Sequence, residues 1–162
     1  MSSPALEELE EALKEIEALQ KANPSPASSS AFKRPDVTRA IGRAEVVLLS
    51  SHFERYIYRL NQHAVEFVVE VQPMACLLPD EIRLRHSRVP VDHLVQIQWT
   101  DRAEALKQYS LQEAPIWIDE HKLIALDAKR LLAWMKAPTS KEIGRFFRMW
   151  GIKDVFGAIT VK

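Results

Sequence analysis

Between Pro35 and Pro73 the chain runs from Asp36 to Gln72 without another proline. Steps of three or four from Val46 meet Leu49, Phe53, Ile57, Leu60, Ala64, Phe67 and Val71. That spacing predicts one long helix with an unbroken apolar stripe, the central core helix of the fold. Asp36 stands just after Pro35, where a short carboxylate caps free backbone N–H groups, and Pro73 forbids continuation. At ~1.5 Å per residue the helix spans roughly 50 Å, more than a small globule needs by itself. Ser50, Glu54 and Asn61 fall along one edge of the stripe, and His52, Tyr56 and His63 along the other. A second apolar flank of Val47, Tyr58 and Val65 predicts that part of this helix is buried in a homodimer.

A chain of 162 residues, 47% apolar and 27% charged, has the size and composition of one globular domain. Four glycines argue against a phosphate-cradling loop and a turn-rich β fold. The single cysteine, Cys76, excludes an internal disulfide framework and fits a reducing compartment. The acidic N-terminus lacks the layout of a signal peptide, and no apolar run approaches the ~20 residues of a membrane span. A cytoplasmic protein without a membrane partner is expected. Net charge is zero overall but uneven. Met1–Ala22 has six acids against two lysines, whereas Ala128–Lys162 has eight basic residues against Glu142 and Asp154. A basic C-terminal part points either to an anionic partner or to attraction between the two ends.

Residues 4–22 form a helix by the spacing of Leu6, Leu9, Leu13 and Ile16, with Glu10 and Lys14 as a surface pair. Residues 23–35, rich in Pro and Ser, read as a flexible linker, so the chain divides into an N-terminal acidic helix, a linker and a helical domain over 36–162. Within that domain a short helix is expected from Pro79 and another through Val91–Ile97. A third follows a Thr100 cap to about Leu111, and a fourth covers Asp127–Lys136. Ile116-Trp117-Ile118 suggests a brief extended piece. Thr139-Ser140-Lys141-Glu142 is a capping box before Ile143, Phe146, Phe147 and Trp150, and Gly151 is a natural stop. The expected class is all-α.

The histidines at 52, 63, 86, 93 and 121 show no zinc spacing, and no nucleophile elbow, Walker loop or dinucleotide fingerprint occurs. No metal and no cofactor is expected. Arginine and histidine alone can cleave RNA, since Arg neutralises the scissile phosphate while His moves a proton. Arg88 and His93, with four residues between them, are the candidate pair on one helical face, although Pro90 between them should break the helix. Glu54, a carboxylate beside the stripe, has two readings. It either pairs with an arginine to fix packing, or it orients a catalytic Arg or His at a subunit junction. Trp99, Trp117, Trp134 and Trp150 are expected in the core or an interface rather than as a base-stacking platform.

Val46–Ile57 resembles the start of the second helix in the RiboL-PSP-HEPN group of the HEPN superfamily. Thr139–Ile143, Phe146–Ile152 and Asp154-Val155-Phe156 are similar to a later segment of that group. The two blocks cover about a third of the chain. The resemblance implies a HEPN-like helical bundle that dimerises, and a metal-independent endoribonuclease lineage tied to toxin–antitoxin or defence systems. Of that group's functional positions only the polar site matching Glu54 carries over. The group's Arg-polar-His motif would follow Asp154-Val155-Phe156, yet Gly157–Lys162 contains neither Arg nor His. Either the chain is truncated and the motif lies downstream, which would make it a metal-independent endoribonuclease, or it is a degenerate member with weak or absent nuclease activity. In both cases RNA is expected near Arg145 and Arg148. Ser50, Glu54 and Asn61 would then face a groove shared with these arginines. The alternative is a non-catalytic interaction module with a cognate protein partner, antitoxin-like or adaptor, docking through the acidic first helix.

Overall fold

The computed structural model describes residues 3–22 and 35–157. They form six α-helices: α1 (Pro4–Ala22), α2 (Pro35–Val71), α3 (Asp80–Gln96), α4 (Arg102–Gln112), α5 (Ala128–Leu132) and α6 (Ser140–Met149). Single 3₁₀ turns at Ala75–Leu77, Trp99–Asp101 and Ala114–Trp117 join them. Among the described residues the only β pairing is an isolated antiparallel bridge between Met74 and Lys122. The class is all-α. No described helix is long and apolar enough to cross a membrane. Two compact units divide within α2, at Leu60 and Asn61. The Pro/Ser segment over 23–34 lies outside the described residues.

In the first unit Ala5 and Ile16 of α1 are buried, Leu6 and Leu9 half-buried and Leu13 exposed, so the α1 seam turns inward only in part. The surface pair forms with a different acid from the one expected, as Lys14 Nζ meets Glu11 at 2.5 Å. The acidic side of α1 faces basic side chains. Glu8 lies 3.7 Å from Arg55 and 3.6 Å from Arg59, and Glu15 lies 3.5 Å from His52.

α2 begins and ends where the two prolines predict. Gln72 takes a left-handed φ of 49° to leave the helix ahead of Pro73. Its burial departs from the expected stripe. Val46, Leu49, Phe67 and Val71 are exposed at 67%, 47%, 64% and 57%, while the buried positions are Ile57, Asn61 and Val65. That line is turned about 100° from the one through Leu60 and Ala64. Periodicity tells which face is apolar, but burial needs a covering surface. Among the described residues of the first unit, α1 with 19 residues is the other helix beside an α2 of 37.

The second unit holds the larger core, with Ile82, Leu131, Leu132, Phe146 and Met149 at 1% exposure or less. Here α3 corrects an expectation. It is one helix through Pro90, not two. A proline inside a helix removes one backbone bond and costs about 3 kcal/mol. Packing of α3 on α4 and α5, with Ile82, Arg85, His86 and Ser87 buried, outweighs that local cost. Thr100 does not cap α4, which instead follows the Trp99–Asp101 turn. Ile116-Trp117 lies in the Ala114–Trp117 turn, leaving only Ile118 extended. α5 is shorter than expected, and its Asp127 cap accepts from Lys129 N at 2.8 Å.

α6 follows its local signals. The Thr139 hydroxyl accepts from Glu142 N at 3.3 Å and donates to the Glu142 carboxylate at 3.2 Å. At the other end Gly151, at φ 85°, donates to Arg148 O, and Ile152 donates to Phe147 O, both at 2.9 Å. These two bonds make a Schellman closure, which needs the left-handed residue that glycine supplies.

Candidate functional site

Glu81, Arg85, Arg88 and Asp92 recur along α3 at steps of four, three and four, so helical geometry gathers them into one charged stripe. Arg83 points to another side. It pairs with Asp80 at 2.7 Å and Asp119 at 3.2 Å, and lies 5.3 Å from the centre of the Trp117 ring. Trp134, just after α5, and Arg145, on α6, complete the cluster. The Trp134 indole N–H donates to Leu131 O at 2.8 Å, which fixes the ring. Arg85 and Arg145 both lie against that ring, with guanidinium carbons 4.5 and 4.9 Å from its centre. Such contacts are favourable because the ring face is negative.

One carboxylate oxygen bridges the two cations. Glu81 Oε1 accepts from Arg85 Nε at 2.8 Å and from its Nη2, and lies 3.9 Å from Arg145 Nη2. Arg88 pairs more loosely with Asp92, at 3.6 Å. Burial pulls the Arg85 pKa below its usual value. Glu81 opposes that shift, while Arg145 and Arg88 add like-charge repulsion. An arginine stays ionised under such a shift, so Arg85 keeps its charge beside Glu81.

Two grooves open beside the stripe. The larger, of about 440 Å³, is bounded by three arginines, Arg85, Arg88 and Arg145, and two carboxylates, Glu81 and Asp92, with Tyr109 and Trp117 as an aromatic wall. Ser87 Oγ accepts from Trp117 Nε1 at 2.8 Å and holds that ring in place. The smaller, of about 270 Å³, lies between Arg85, Arg88, Arg130 and Trp134. Arg130 donates to Glu113 at 2.7 Å and lies 3.4 Å from Asp127. Behind it His86 is buried, with Nδ1 3.7 Å from the same Glu113. Burial lowers the His86 pKa, and Arg130 lowers it further. Glu113 and Asp127 act in the opposite sense.

Arg88 and His93 are not brought together. Arg88 lines both of these grooves, whereas His93 lines a separate groove with Leu94, Ile97 and Gln108. Five positions on an unbroken helix turn the two side chains about 140° apart, so the one-face expectation fails on geometry. Glu54 is half-buried on α2 in the first unit, while Arg145 and Arg148 belong to the second. Asn61, expected on a groove wall, is 1% exposed, and its amide donates to Ala128 O at 2.8 Å. It is a packing residue. Arg145 meets Glu81 and Trp134, and Arg148 is exposed on α6. Of the tryptophans, Trp134 and Trp150 are half-buried, and the other two lie at the surface of this chain. Trp99 is 80% exposed and Trp117 borders a groove. Among the described residues no three metal-ligating side chains converge. Compared with family models, curated proteins and solved structures, the chain matches none of them.

Proposed function

We propose that this chain is a helical RNA-binding domain of the HEPN-like, RNA-targeting lineage that its sequence resembles, acting by binding more than by cleavage. The carrying observation is the convergence of Arg85, Arg88, Arg130 and Arg145 with Trp117 and Trp134 around two adjoining grooves. Guanidinium forks suit phosphate oxygens, and the exposed Trp117 ring suits an unstacked base. Cleavage would require an arginine and a histidine at one scissile bond, and Arg88 and His93 line different grooves. The test is binding of a single-stranded RNA at several salt concentrations, with cleavage followed in the presence of EDTA. Affinity should fall steeply as salt rises, because neutralised phosphates release counterions. Absence of binding at low salt overturns the proposal.

A homodimer belongs to the same reading. Val46 and Val47 stand side by side on α2 at 67% and 66% exposure, an apolar surface suited to a second copy. The alternative, an interaction module docking a cognate protein through α1, rests on the acidic composition of that helix. Glu8 and Glu15 of α1 already face Arg55, Arg59 and His52. That arrangement favours an internal role for the helix.

A further inference from the structure

We infer that the larger groove is a nucleotide subsite in which Glu81 is a built-in competitor for phosphate. One phosphate of single-stranded RNA takes the place of the Glu81 carboxylate between Arg85 and Arg145, within reach of Arg88, and its base lies along Trp117 and Tyr109. The inference rests on the RNA-binding reading and adds where the strand is held and against what internal opponent.

The two halves of the ion-pair cluster differ in freedom. Arg85 is 9% exposed and held against Trp134, whereas the Glu81 side chain is 45% exposed. The cation is fixed, and the carboxylate can swing into water. A buried guanidinium is stable only while paired, so release of Glu81 requires another anion in its place. Glu81 serves both Arg85 and Arg145 with a single oxygen, the second at 3.9 Å. A phosphate brings more acceptors in a geometry that forked donors match. Arg88, whose side chain is 71% exposed and has only Asp92 at 3.6 Å, is placed to add a third contact.

The aromatic wall selects the class of ligand. Trp117 is pinned by Ser87 and by the Arg83 guanidinium, yet keeps 39% of its surface open. A rigid ring beside a phosphate cradle suits stacking by a base, which any nucleotide offers. A phosphoserine or phosphothreonine peptide would satisfy the arginines but leave this wall without a planar partner. The groove volume of about 440 Å³ falls within the range of small-ligand sites.

The experiment is fluorescence anisotropy of a labelled oligouridylate with the full chain and three variants. Glu81→Gln keeps the shape and removes the competing charge, and should tighten binding about threefold or more, the scale of a half-exposed ion pair. Arg88→Ala should weaken binding about fivefold and lower the slope of log affinity against log salt by about 0.7, one phosphate contact. Lys107→Ala, on α4 away from the groove, should change nothing. RNA binding by the parent chain with no response to either groove variant places the strand elsewhere, and overturns the subsite while RNA binding stands. No binding by any form removes the RNA reading itself. A labelled phosphopeptide that binds more tightly than the oligonucleotide overturns the assignment to nucleic acid. If Glu81→Gln loses helical circular dichroism, Arg88→Ala decides, together with quenching of tryptophan emission by uridine monophosphate, which the subsite requires.

Discussion

The two units use apolar residues in opposite ways. Among the described residues, the buried apolar side chains of the first unit are Ala5, Ile16 and Ile57, and the others lie in the second. The first unit nevertheless carries much of the stripe that reads most strongly in the sequence. The second is assembled from shorter helices and turns whose patterns are weak one by one. Its elements close on each other from several directions, so that Leu131, Leu132, Phe146 and Met149 are almost fully enclosed. A long regular helix displays its periodicity without guaranteeing a cover for it. Burial follows from the number of surfaces that meet, and there the second unit has the advantage.

The largest effect that can break this comparison lies in the core of α6. Phe146 is 1% exposed and contacts Phe147 edge to face, with ring centres 5.2 Å apart. Phe146→Ala should destabilise the chain by about 3–5 kcal/mol, through lost transfer energy and the cavity left behind. Urea unfolding followed by circular dichroism measures it. A loss below about 0.5 kcal/mol, typical of surface positions, would mean that the second unit is not where stability resides.

What could be read beforehand follows the same division. Signals that act within a few residues were legible. Pro35 and Pro73 bound α2, the Thr139 cap starts α6, and Gly151 closes it. Pro90 misled because the local penalty of a proline is outweighed by packing that only the folded chain contains. The candidate site was half legible. The stripe of Glu81, Arg85, Arg88 and Asp92 is visible at helical spacing, but attention to an Arg–His pair obscured it. Trp134 and Arg145 reach that stripe from distant parts of the chain, and no local pattern announces such a meeting.

A second, smaller effect tests the polar side of the same core. His86 is buried beside Glu113 and Arg130, with Asp127 also acting on it, and its pKa is lowered from 6.5. A lowered histidine pKa means that the unfolded chain binds the proton more tightly than the folded one. Stability is therefore unaffected by this group above pH 6.5, and falls as pH drops from 6.5 through the folded value. Each unit of displacement is worth about 1.4 kcal/mol. Unfolding free energies measured across this window should decline with acid in the parent chain and decline less in His86→Gln. Parallel curves for the two proteins would assign the acid sensitivity to other groups.

The smallest expected effect on folding is also the one that sharpens the comparison most. Val46, 67% exposed, occupies an apolar position with little to lose on truncation if the chain stands alone. Val46→Ser should then shift stability by no more than about 0.5 kcal/mol at low protein concentration. If α2 meets a second copy, the same change removes apolar contact from that surface and weakens association. Light scattering over a range of concentrations separates these contributions. The expected result is a dimer in the parent chain, a larger monomer fraction in Val46→Ser, and a melting temperature that rises with concentration only in the parent, as linkage to assembly requires. A parent chain that stays monomeric at tens of micromolar would leave the exposed stripe without a second copy to cover it. A variant that loses several kcal/mol as a monomer would show that Val46 is buried within its own unit, and the contrast between the two units would fail at the residue where it is drawn most sharply.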